Sequence, residues 1–101
     1  MKRRHVLISK DAAAQLEAIR SWWIANRPAA PDLFDRELDA AVAALGKAAQ
    51  AFALYHFDAD VEIRRLLLPR TRYAVYFSIE VDVVLVVAVW HGSRGIGPPL
   101  P

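Results

Sequence analysis

The sequence predicts an α+β domain in which a two-helix hairpin packs on one face of a four-stranded, mostly antiparallel sheet. Three observations carry that expectation. Apolar residues recur at helical spacing through two segments of the first half, Ala12–Trp23 and Phe34–Leu45. From Val61 onward the apolar period changes to two, the signature of strands. Only a short Pro-containing link parts the two helical segments, which makes them antiparallel neighbours.

The first element is a short strand around His5–Ser9, with Val6, Leu7 and Ile8 in a row. Ser9 or Asp11 then caps a helix, because either side chain accepts from the free amides of a first turn. The helix runs to about Asn26, with Ala12, Leu16, Ile19 and Trp23 on one stripe and Trp22 and Ile24 widening it. Asn26-Arg27-Pro28 supplies a residue tolerant of left-handed geometry and then a breaker.

Pro31 suits the first turn of the second helix, where its missing N–H is no loss. Asp32 and Asp35 lie near that helix's positive end. Its apolar stripe is Phe34, Leu38, Ala41, Val42 and Leu45, and a series of alanines raises its propensity. Gly46 either ends it or weakens it. Residues 50–60 match neither period and read as a connecting loop, with Phe52, Leu54 and Phe57 plugging the core.

Val61–Leu68, Arg72–Ile79 and Val83–His91 are the remaining strands, joined by turns at Pro69-Arg70-Thr71 and Glu80-Val81-Asp82. In the middle one, Tyr73, Val75, Phe77 and Ile79 face the core, and Arg72, Ala74, Tyr76 and Ser78 point the other way. The last strand is apolar on both faces: Val83, Leu85, Val87 and Val89 alternate with Val84, Val86, Ala88 and Trp90. Two helices cover one face of such a sheet, so the other is expected to present an apolar groove flanked by arginines, a usual mark of a partner site.

At 101 residues the chain is sized for one domain, read as residues 1–98, with a Gly/Pro-rich tail at 92–101. The absence of cysteine excludes disulfides, thiolate zinc sites and thiol nucleophiles, and suits a cytoplasmic protein. The basic start, Met1-Lys2-Arg3-Arg4-His5, is followed by too short an apolar run for a signal peptide, and Val83–Trp90 is too short to span a bilayer. No internal repeat, nucleotide-binding fingerprint or catalytic triad pattern is present. His5 and His56 are isolated, so no metal or other cofactor is expected.

The net charge of +2 names no partner, but its distribution is uneven. Residues 62–101 hold five arginines against three acids, and no lysine follows Lys47. Arg64, Arg65, Arg70 and Arg72 fall within nine residues, close to Tyr73 and Tyr76. Guanidinium groups stay charged and fork onto phosphate or carboxylate, so the stretch points to an anionic partner, nucleic acid or acidic protein. A solvated face carries such an excess equally well. His91 after Trp90 is a proton carrier in position at a strand end, or simply the strand's last carbonyl-bonding residue.

Three phrases, Arg64-Arg65-Leu66-Leu67-Leu68-Pro69-Arg70-Thr71-Arg72-Tyr73, Val75-Tyr76-Phe77 and Val87-Ala88-Val89-Trp90-His91-Gly92-Ser93-Arg94-Gly95, together with the element order, resemble the RelE/ParE family of type II toxin–antitoxin toxins. Trp22-Trp23-Ile24-Ala25, Asp32-Leu33-Phe34 and Glu37-Leu38 extend the similarity over roughly residues 5–98. The resemblance implies a β-α-α-β-β-β toxin whose first strand lies beside its last, neutralised by a cognate antitoxin in a possible hetero-oligomer. RelE-like members cleave messenger RNA on the ribosome without metal, and ParE-like members poison DNA gyrase.

By that resemblance Arg72 and His91 are the catalytic pair if the chain is a nuclease. Under either reading Arg64, Arg65, Arg70, Tyr76 and Arg94 are candidates for binding nucleic acid or another target, and Trp22, Val86 and Trp90 for binding antitoxin. The tail lacks the aromatic and basic C-terminus of the nucleases, which favours the ParE-like reading. The alternatives are a ribosome-dependent endoribonuclease or a degenerate toxin that retains only antitoxin binding, and whether the chain is an enzyme stays open.

Overall fold

The computed structural model describes residues 3–58, 60–91 and 98. Strand β1 (His5–Ile8) leads into helix α1 (Lys10–Asn26) and helix α2 (Leu33–Ala48); a 3-10 turn, Ala49–Ala51, precedes strands β2 (Ala53–Asp58), β3 (Val61–Leu67), β4 (Tyr73–Ile79) and β5 (Val83–His91). The class is the expected α+β, but the sheet has five strands rather than four, in the order β1-β5-β4-β3-β2. β1 runs parallel to β5, with His5 opposite Val83 and Ile8 opposite Val86, and every other pairing is antiparallel. Among the described residues no helix is long and apolar enough to cross a membrane.

The additional strand is β2, which replaces the expected loop at 50–60. Its alternation is broken by a bulge: Leu54 pairs with Arg64 and His56 with Ile63, so Tyr55 is the extra residue. A bulge shifts the face of every later side chain, which erases the period-two pattern. Phe52 packs on the core as expected, edge-on to Phe77 at 6.3 Å. Leu54 is instead exposed. The side chain of Phe57 lies outside the described residues.

α1 starts where the sequence places it. The Ser9 hydroxyl accepts from the Ala12 amide at 3.1 Å, and Ala13 N–H donates to the Ser9 carbonyl. Ser9→Ala is expected to cost about 1 kcal/mol, read as a lower urea midpoint at unchanged slope. The helix ends without a left-handed residue. Arg27 N–H donates to the Trp23 carbonyl and the Asn26 side chain to that of Trp22 before Pro28 intervenes.

α2 begins at Leu33, so Pro31 lies in the preceding turn rather than in the helix. Gly46 does not end α2. Its carbonyl accepts from Arg4 N–H, and a Cβ there would meet the Arg4 carbonyl at 3.4 Å, about van der Waals contact.

The predicted stripes form the main core. Ala12, Leu16, Ile19 and Trp23 of α1 and Phe34, Leu38, Ala41 and Leu45 of α2 pack on Val75, Phe77 and Val84 of the sheet. The second half of α1 is tied to the first turn of α2 by Arg20, whose guanidinium donates to Asp35 at 2.7 Å; both side chains are about half exposed, so the pair adds little stability.

A second, smaller cluster forms on the sheet's far face from Ile63, Ala74, Tyr76, Val87 and Ala88. This corrects the expectation of an open apolar groove there, because all five are buried. A bulge in β5 contributes. Tyr76 pairs with Ala88 but Phe77 with Val86, so Val87 is extra and Val87 and Ala88 both turn to the far face.

Candidate functional site

The site is built where β1 stops. β1 accompanies β5 only to Val86, leaving the rest of β5 without a strand on that side. The start of α1 takes over: Ser9 N–H donates to the Val86 carbonyl, and the Gln15 side chain accepts from Val89 N–H at 2.8 Å. Backbone groups of Val86 and Val89 are thereby bonded by the start of α1 and the residue that caps it, and between helix and strand a cleft opens. Its volume is about 600 Å³.

One wall of the cleft is α1, through Ala18, Ile19, Trp22 and Trp23. The other is Val89, Trp90 and His91 of β5. Arg27 closes one end, its guanidinium over the ring of Trp22 at 5.3 Å and of Trp23 at 5.9 Å. Arg70, Thr71 and Tyr73 bring the β3–β4 turn to the rim. The Tyr73 ring stands edge-on between Phe34 at 5.3 Å and His91 at 4.9 Å, tying the cleft to the core of α2.

The turn itself is held from below. Arg72 N–H donates to the Leu68 carbonyl and Leu68 N–H to that of Tyr73, which closes a tight loop. The amides of Arg70 and Thr71 point out of it and donate to the two carboxylate oxygens of Glu37, both at 2.9 Å. Burial pushes the Glu37 carboxyl up, but the two amides and the Arg70 charge outweigh it and hold it below its ordinary value. Arg72 closes the loop at φ +69°, a left-handed conformation that costs a non-glycine residue roughly 1–2 kcal/mol.

The sequence-predicted residues therefore separate into groups. Arg70, Trp22, Trp90 and His91 line the cleft, and Arg72 does not. Arg64 faces the helix side of the sheet, donates to the Phe52 carbonyl at 2.7 Å and lies 3.6 Å from Glu62. It lines a separate depression with Asp60, Glu62 and Glu80, acidic surroundings that oppose a phosphate. Arg65 is on the far face, over the Tyr55 ring at 5.6 Å.

Tyr76 pairs with Arg65 across the strands but is buried, edge-on to Tyr55 at 4.8 Å, so its ring does not offer the exposed stacking surface expected of it. Val86 is 2 % exposed and packs in the helix-facing core, so it is closed to a partner and corrects its assignment to an open face. Arg94 lies outside the described residues. Gln15, Arg27, Tyr73 and Glu37 were not singled out as site residues from the sequence. Of these only Arg27, four residues after Trp23, carries a local signal. Among the described residues no group of histidines and carboxylates is arranged to hold a metal.

A family model described as the ParE toxin of the type II toxin–antitoxin system parDE matches residues 6–96. The chain belongs to the ParE toxin family. It is thus the toxin component of a type II toxin–antitoxin pair, and such a pair implies a cognate antitoxin as partner. Among solved structures this ParE chain is similar to one from the chromosomal ParDE TA system of P. aeruginosa. Identity is 18%, the TM-score is 0.71, and the alignment covers 88% of this chain and 96% of that one, a likeness of fold. Curated proteins gave no match.

Proposed function

We propose that this ParE-family toxin acts in the cytoplasm, arresting growth by engaging DNA gyrase until its antitoxin covers the α1–β5 cleft in a hetero-oligomer. One observation carries the choice of gyrase over RNA. Cleavage of RNA through its own 2′-hydroxyl needs a proton carrier beside a group that holds the phosphate's developing charge. His91 lies in the cleft, whereas Arg72, the residue assigned to the phosphate, does not line it. In the proposed role the arginines and the exposed Trp22 dock on protein.

Messenger RNA cleavage is the second reading, favoured because Arg70 and His91 do line one cleft. Induced expression without antitoxin separates the two, comparing wild type with His91→Ala and Arg72→Gly. Glycine accepts φ +69° without strain, so Arg72→Gly removes the guanidinium while keeping the turn. The expected result is DNA double-strand breaks with intact messages and full toxicity in His91→Ala. New message ends that vanish in either variant would overturn the gyrase reading. Growth without arrest would leave a degenerate toxin that only binds its antitoxin.

A further inference from the structure

β2 is the outer strand of the sheet, and among the described residues no strand pairs with its free edge. Proteins blunt such edges with lysine, proline, a covering element or very short length. β1, at the opposite edge, is four residues long, and the chain entering it bonds Gly46 of α2. β2 has six residues, Ala53–Asp58, and none is lysine, arginine or proline. Apolar side chains flank its edge on both faces. Leu54, 50 % exposed, lies on the helix side opposite Arg64, and Tyr55, 41 % exposed, lies on the far face against Tyr76.

The bulge decides what can fill this edge. Register with β3 places positions 54 and 57 on the helix side with Arg64 and Glu62, and positions 53, 56 and 58 on the far face with Arg65, Ile63 and Val61. Tyr55, the extra residue, joins the far face. Outward from the point between Tyr55 and His56, the faces therefore run the same way in both directions: far, helix side, far. Residues opposite each other in an antiparallel pair share a face, so a regular strand laid here falls out of phase once it passes the bulge. A second copy, turned about a two-fold axis between Tyr55 and His56, brings its own bulge to the same point and stays in phase throughout.

We infer that the chain, when free of antitoxin, forms a two-fold dimer by antiparallel pairing of β2 with β2, which joins the two sheets into one. Position 53 of one copy then lies opposite position 58 of the other. The end of β2 registered with Arg65 meets the end that leads into Asp60 and Glu62, so opposite charges come together at both ends. Six residues a side bury less than the roughly 800 Å² per partner of a stable complex, so the dimer forms and dissociates with concentration. β3 and β4 separate this edge from β5, so pairing here is independent of what fills the α1–β5 cleft.

The test uses the purified full chain, which has no cysteine of its own. Sedimentation velocity from roughly 1 μM to 1 mM should show monomer giving way to dimer, the range of a small interface. Leu54→Lys supplies the edge charge that β2 lacks and should weaken dimerisation about tenfold or more. Its urea midpoint should stay near wild type, because Leu54 is half exposed. His56→Cys and Leu54→Cys then read the register under glutathione-buffered oxidation. About the two-fold axis the two 56 positions stand roughly 6 Å apart, within disulfide reach, and the two 54 positions roughly 10 Å apart, beyond it. A covalent dimer is expected from His56→Cys alone.

A chain monomeric at every concentration, or a dimer untouched by Leu54→Lys, would overturn the inference. So would a His56→Cys chain that cross-links no better than Leu54→Cys. Antitoxin that protects the β2 amides of an otherwise monomeric chain from exchange would assign the edge to the antitoxin and overturn it likewise.

Discussion

Phe34→Ala is expected to lower the unfolding free energy by about 3–5 kcal/mol, a large share of the typical 5–15 kcal/mol of a single domain. Phe34 is 1 % exposed in the first turn of α2, and its ring meets Tyr73 edge-on at 5.3 Å. Truncation removes the transfer energy of the ring and leaves a cavity that Leu38 and Leu45, on the same stripe, are not free to fill. Urea titration should show a lower midpoint at unchanged slope. A loss below about 1 kcal/mol would contradict the packing described, since it would mean the site collapses without strain. Because Tyr73 bridges Phe34 to His91, the same variant should loosen the cleft, seen as faster amide exchange at the end of β5 than at its start.

What the sequence revealed and what it hid follow from the same geometry. Helical stripes survive in the residue order because a helix keeps its period, so Leu16, Ile19, Trp23, Leu38 and Leu45 were identifiable as core. Strand alternation survives only until a residue is inserted. The bulge at Tyr55 hid β2 altogether, and the one at Val87 put Val87 and Ala88 on one face. Tyr76 was correctly assigned to the face away from the helices. Its burial there depends on Ile63 and Val87, contacts between strands that no local pattern encodes.

The arginine cluster shows the opposite case, a local signal that the fold disperses. Arg64 and Arg65 are neighbours in sequence, and alternation sends one to the Phe52 carbonyl and the other over Tyr55. Arg70 and Arg72 bracket one turn, yet only Arg70 lines the cleft. Meanwhile Arg27 and Trp22 arrive at that cleft from far away in the chain. A run of like charges is therefore weak evidence for one surface when it straddles a strand and a turn.

Glu37→Gln is expected to destabilise the domain by about 1–2 kcal/mol near neutral pH, and to do so through the β3–β4 turn alone. Gln offers one acceptor oxygen where the carboxylate offers two, so one of the Arg70 and Thr71 amides loses its partner. The pH dependence follows from the same bonds. The folded carboxyl titrates below its ordinary 4.5, so between those values the unfolded chain holds more protons than the folded one. Stability from this group is complete above about 4.5 and is lost as pH falls through the folded pKa. Wild type and Glu37→Gln should therefore differ most at pH 7 and converge as pH falls through the folded pKa in paired urea titrations, other carboxylates cancelling in the difference. A gap that stays constant or widens on acidification would show that the carboxylate does not hold the turn. If the gap closes as expected, Arg70 owes its place at the cleft to a charge on α2, and acidification should loosen Arg70 and the turn together.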